Sequence, residues 1–172
     1  MRILTLVVLA LMLMSNECYE PYYEPYSQYK PILMDRDEME NAIAYTSAKE
    51  MLEPGKIYLK GDTIFINEKY KGIHIIDNSN PSSPKNVGFI VIPGCIDMAM
   101  KGNILYADNS VDLIALRLSA NISQMQITKR VRNTFPELTP PDNRMMQSQY
   151  LPENRPDNTL IVGWEKIEPE GY

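Results

Sequence analysis

The sequence predicts an all-β fold assembled from four-stranded antiparallel units, and three observations carry that prediction. Short runs rich in β-branched and aromatic residues recur between turn residues, as in Thr63 to Glu68 and Asn86 to Ile92. The run Gly72 to Asp77, GIHIID, has no clean polar alternation, which is the pattern of a strand covered on both faces. The pattern then repeats, because Lys101-Gly102 follows Lys60-Gly61 by 41 positions and the apolar positions around the two pairs match in kind.

At the start of the chain, Met1-Arg2 precedes the apolar run Ile3 to Met14 and then Ser15-Asn16-Glu17-Cys18. A basic start and a hydrophobic stretch too short to span a bilayer comfortably predict a signal peptide over residues 1–18 and hence export. Residues 19–34 include the tandem YEPY of YEPYYEPYSQY and hold little aliphatic side chain to bury, so they read as a flexible tether. Residues 35–53 carry acidic residues early and place Met39 and Ile43 on one helical face, which predicts a short helix packed on a sheet edge. Pro54-Gly55 ends it.

Residues 55–132 read as two units of four strands. The first has strands at Lys56 to Lys60, Thr63 to Glu68, Gly72 to Asp77 and Asn86 to Ile92; the second at Ile96 to Lys101, Ile104 to Ala107, Leu113 to Leu118 and Gln124 to Val131. Gly61-Asp62 and Gly102-Asn103 supply the positive φ that tight hairpin turns require. At the 41-residue offset the third strands align without a gap, Gly72-Ile73-His74-Ile75 facing Leu113-Ile114-Ala115-Leu116. Four strands per unit and a period near 41 residues are the spacing of β-propeller blades. Residues 133–158, with five prolines among polar residues, read as a loop or insertion that is disordered in the isolated chain. Residues 159–172, opening on TLIVGWEKI, read as the start of a third blade or a terminal strand, with Trp164 packed between blades.

The corner after Gly72 to Asp77 is the most distinctive motif: Asp77-Asn78-Ser79-Asn80-Pro81-Ser82-Ser83-Pro84, in which Asn and Ser close turns and the prolines stop strand pairing. The strand, its terminal Asp77 and this double-proline turn resemble the LVIVD-repeat proteins over roughly Gly55 to Leu118, the turn positions being Asp77, Asn78, Asn80, Pro81 and Pro84. The second unit departs from the motif, with Leu118 where the aspartate would fall and no paired prolines after it. The resemblance implies a propeller on a surface-anchored bacterial envelope lipoprotein and carries over no catalytic residue. Two blades and part of a third are too few to close a ring, so the chain reads as the amino-terminal part of a larger protein, or as one whose ring identical copies or a partner complete. Cys18 is where a bacterial lipoprotein would take its diacylglyceryl chain, although Glu17 departs from the small residue usual before it. Location at the outer membrane or cell surface follows, with a periplasmic protein as the alternative.

The net charge of −5 and the short basic cluster Lys129-Arg130-Val131-Arg132 exclude a nucleic-acid binder. One histidine, and no nucleophile, zinc, phosphate-loop or EF-hand motif, predict no catalytic residue, no metal site and no cofactor. His74 reads as a satisfied buried imidazole, Cys95 as a small buried hydrophobe, and Lys129 to Arg132 as a strand with outward cations. The expected role is a non-catalytic binding scaffold for a protein or glycan ligand, held to the membrane by its lipid. The alternative is an envelope glycan hydrolase or lyase, for which Asp97, Asp108 and Asp112 are the available carboxylates.

Overall fold

The structure, a computed structural model, describes residues 25–119 and 121–168. The expected signal peptide with Cys18, and residues 19–24 of the Tyr/Pro segment, lie outside them. In chain order the elements are β1 (Tyr29–Asp35), α1 (Arg36–Asn41), β2 (Ala44–Thr46), β3 (Pro54–Lys60), β4 (Thr63–Glu68), β5 (Gly72–Asp77), β6 (Lys85–Val91), β7 (Met98–Lys101), β8 (Ile104–Asn109), β9 (Asp112–Arg117), β10 (Gln126–Val131) and β11 (Thr159–Lys166). The fold is mainly β, with antiparallel sheets of five strands, β2-β6-β5-β4-β3, and four strands, β10-β9-β8-β7, and a two-stranded ribbon of β1 and β11. These sheets are open, and the described residues form no propeller ring.

Each sheet contains one of the expected four-strand meanders, so the short connections do most of the topological work. Gly61 and Gly102, at φ 55° and 58°, turn β3 into β4 and β7 into β8. The two sheets pack face to face. Phe65, Ile73, Ile75 and Ile90 of the first form one buried cluster with Met98, Leu105, Ala107, Ile114 and Leu116 of the second. Cys95, fully buried where the chain crosses between the sheets, belongs to the same cluster, as its residue type predicts.

The gapless 41-residue alignment is off by one beyond the second strand. Glu68 pairs with Gly72 across the turn Lys69-Tyr70-Lys71, whereas Asn109 pairs with Asp112 across the shorter turn Ser110-Val111. The structural offset is therefore 41 between β4 and β8 and 40 between β5 and β9, which makes His74 the counterpart of Ile114. Because side chains alternate between faces, that single residue decides which of them meet the neighbouring sheet.

Three segments differ from expectation. The helix spans only Arg36–Asn41, capped by Asp35, whose carboxylate accepts from the N–H groups of Asp37 and Glu38. Met39 is its one buried residue, but Ala44-Tyr45-Thr46, which the helical reading included, pairs instead with the open edge of β6, and the Tyr45 hydroxyl donates to Val87 O at 3.0 Å. Edge pairing outweighs the helical pattern there.

The last residues of the supposed tether, from Tyr29, form β1 and pair with β11 in register Tyr29↔Lys166 to Asp35↔Thr159. Pro31 is tolerated because β1 has a neighbour on one side only. β11 thus forms a two-stranded ribbon with β1, as the terminal-strand alternative for residues 159–172 allows. Residues 133–158, expected to be disordered, are tied down instead: Ser27 N–H donates to Met145 O at 2.8 Å, Gln28 N–H to Asp142 Oδ2 at 3.0 Å, Phe135 N–H to Val111 O at 2.9 Å, and Arg155 pairs with Glu137.

Candidate functional site

The double-proline corner is a structural turn. Asp77 ends β5 with its Oδ1 accepting from Ser79 N–H at 2.9 Å, and that bond holds its carboxyl below the usual range. Asn78 N–H donates to Asp62 O at 2.7 Å, and Asn80 Oδ1 accepts from Ser82 N–H at 3.2 Å. Pro81 and Pro84 stand exposed before β6 starts at Lys85. Asp77 and Asn80 thus close the bend with their side chains, and the Asn78 N–H ties it to the neighbouring β3–β4 turn.

The three carboxylates considered for acid–base work separate into two places. Asp97 and Asp108 line one cleft of about 610 Å3, between the outer face of the second sheet and residues 135–139. Asp108 Oδ1 accepts from the N–H groups of Ile96 and Asp97, both at 2.9 Å, while Asp97 Oδ2 meets Lys56 Nζ at 2.6 Å. Burial pushes the Asp108 carboxyl above its ordinary value against those two N–H bonds.

Asp112 does not line this cleft. It is fully buried at the start of β9, accepting from Arg130 Nη1 at 2.8 Å, Arg36 Nη1 at 3.3 Å and Asn133 N–H at 3.0 Å. Burial would raise its pKa, but the Asn133 N–H and the two guanidinium groups outweigh burial and hold it low. Glu40 of α1 joins the cluster through Arg132 at 2.9 Å and Arg36 at 3.5 Å. The basic run of β10 is therefore not a row of outward cations. Lys129 is exposed, but Arg130 turns inward to bind Asp112 and Asn109. This cluster fastens α1 to the second sheet.

His74 is buried in β5 as expected, and its partner, Glu68, was not foreseen. The Nε2 atom lies 3.1 Å from Glu68 Oε2, Asn86 Nδ2 is 3.4 Å from Nδ1, and the ring meets Phe89 edge-on at 4.7 Å. Glu68 also accepts from the N–H groups of Glu53 at 2.7 Å and Leu52 at 3.2 Å. Burial raises its pKa, yet the Glu53 N–H, His74 and Leu52 N–H together bring the carboxyl below its ordinary value. The contribution of Glu68 to stability is thus complete above about pH 4.3, the free glutamate value, and is lost as pH falls through the lower folded value. Denaturant titrations of the wild type and Glu68→Gln are expected to show a wild-type advantage at pH 7 that narrows below about pH 4.

Glu68 forms part of the floor of a second cleft, of about 720 Å3, bounded by Phe89, Tyr70, Lys49 and the ribbon residues Met34, Val162 and Trp164. Lys49 Nζ lies 4.9 Å from the centre of the Phe89 ring and Lys69 Nζ 5.0 Å from that of Tyr70. Trp164 is buried, in the wall of this cleft, and its Nε1 has no hydrogen-bond partner among the described residues. A local signal for Glu68 did exist in its backbone position, at the end of β4 one short turn before β5. Arg36 and Asn133 carried none, since they reach Asp112 from far along the chain.

Among the described residues no group of three or more His, Cys, Asp and Glu side chains is arranged to hold a metal ion. No described helix is long and apolar enough to cross a membrane. Fold and sites together define a mainly β protein whose two antiparallel sheets pack face to face, with a buried carboxylate–guanidinium cluster, a buried Glu68–His74 pair and the two clefts described. Comparison with family models, with curated proteins and with solved structures finds no match to this chain.

Proposed function

We propose that the chain is a non-catalytic binding scaffold of the LVIVD-repeat propeller type, exported in bacteria and held at the cell envelope by acylation of Cys18. The observation that carries this reading is the occupation of its acid–base groups. His74 and Glu68 bind each other, Asp112 and Glu40 pair with Arg36 and Arg130, and Asp77 closes a turn. A scaffold needs such groups for rigidity, whereas an enzyme needs some of them free to reach substrate.

A second reading, a glycan-directed hydrolase or lyase, is favoured by one arrangement. Asp97 and Asp108 share the wall of one cleft, with Asp108 pushed up by burial and Asp97 held beside Lys56. Incubation with purified envelope glycan separates the two readings. The wild type and the Asp97→Asn/Asp108→Asn variant are expected to release no reducing ends. Release by the wild type that disappears in the variant overturns the scaffold reading. Intact-mass measurement of the membrane fraction is expected to show a diacylglyceryl-modified chain beginning at Cys18, and an unmodified mass rejects the anchor.

A further inference from the structure

The two sheets are not equivalent at their outer faces, and comparing them position by position shows what the first sheet lacks. The second sheet meets the first through Met98, Met100, Leu105, Ala107, Ile114 and Leu116, which share one face by cross-strand pairing. At the offsets set by the two turns, their counterparts in the first sheet are Ile57, Leu59, Ile64, Ile66, His74 and Ile76. Those residues lie on the face turned away from the second sheet, since Ile57, Ile66 and His74 pair with one another while Phe65 and Ile75 point into the shared core. Residues 47–53 cover the His74 end through Lys49, Leu52 and Glu53. The other end is open, with Ile57 68% and Leu59 61% exposed.

The reciprocal comparison gives the complement. Tyr58, Phe65, Ile73, Ile75 and Ile90, which face the second sheet, correspond to Ala99, Tyr106, Leu113, Ala115 and Val131 on that sheet's own outer face. The cleft of about 610 Å3 beneath residues 135–139 opens there and leaves room for side chains such as Ile57 and Leu59.

We infer that this chain associates head to tail with further copies of itself, the outer face of the first sheet of one copy seating on the outer face of the second sheet of the next. The contact continues the interface already formed within the chain. Charge supports the same register. Within the chain, Lys60 Nζ crosses between the sheets to Gly102 O and Asn103 Oδ1, both at 2.7 Å. One unit further on, the equivalent residues are Lys101, Gly61 and Asp62, and neither Lys101 nor Asp62 has a side-chain partner among the described residues. The next copy would set that ammonium against that carboxylate. Such a heterologous contact generates a ring where the rotation closes.

The inference rests on the blade-like equivalence of the two sheets and not on the absence of catalysis, so the glycan assay does not bear on it. Sedimentation and native mass spectrometry of the purified chain across a concentration series provide the test. The wild type is expected to assemble beyond the monomer. Lys101→Glu and Asp62→Lys should each weaken assembly about tenfold or more, and the double variant should restore it. Leu59→Asp, at an exposed position that leaves the fold intact by circular dichroism, should abolish assembly. A wild type that stays monomeric throughout, or an oligomer indifferent to all three changes, overturns the inference.

Discussion

Replacing Asp112 with alanine is expected to lower the unfolding free energy by about 3–5 kcal/mol, because it leaves two guanidinium groups in a protein interior with only the more distant Glu40 carboxylate to balance them. The side chains of Arg36 and Arg130 are 15% and 14% exposed, and Asp112 is the nearer of the two carboxylates that both meet, at 3.3 and 2.8 Å against 3.5 and 4.0 Å for Glu40. The alanine also strips the Asn133 N–H of its acceptor. Denaturant unfolding at neutral pH measures the loss. The companion substitution Arg130→Met is expected to be less damaging, since Arg36 continues to neutralise the carboxylate. Because Asp112 is held low, the wild-type advantage should also vanish as pH falls below about 3.9, the free aspartate value, through the lower folded value.

Phe65→Ala is expected to cost about 3–5 kcal/mol by a different route, the opening of a cavity between packed layers. Phe65 is 1% exposed and stands on β4 in the cluster shared by both sheets. Its counterpart Tyr106 lies on the outer face of the second sheet, so Tyr106→Ala should cost the monomer far less. The pair of substitutions, compared by denaturant midpoint, measures how much stability comes from burying one sheet face against another rather than from strand propensity. Equal losses at the two positions would argue that the sheets do not share a core.

How far the sequence reached depended on the range of the interactions. All four strands of the first sheet's meander were legible to within two residues, since hairpins with Gly61 and double-proline corners leave local marks. Ala44 to Thr46 was not, because its choice between helix and strand was made by the free edge of β6, more than forty residues further on. β1 was hidden for the same reason: Tyr29 to Asp35 gains its strand partner only at β11. The repeat was visible, but its phase was not, as a turn shorter by one residue leaves hydrophobic residues matching hydrophobic residues in either alignment. The sites followed the same rule. The bends at Asp77 and Asn80 were read from adjacent residues, whereas Asp112 was grouped with Asp97 and Asp108 by type when its actual partners were Arg36 and Arg130.

The β1–β11 ribbon sets the order in which the molecule is made. Asp35 and Thr159, paired in the ribbon, are 124 positions apart in the chain, while nearly every pairing between them closes across a short turn. At about 5–20 residues per second, β1 leaves the ribosome on the order of ten seconds before its partner exists. In that interval Leu33 and Met34 are apolar and unpaired, beside two sheets that are already free to form. Among the described strands, β1 is therefore the earliest made and among the last to be secured, and it is the one a chaperone has most reason to hold.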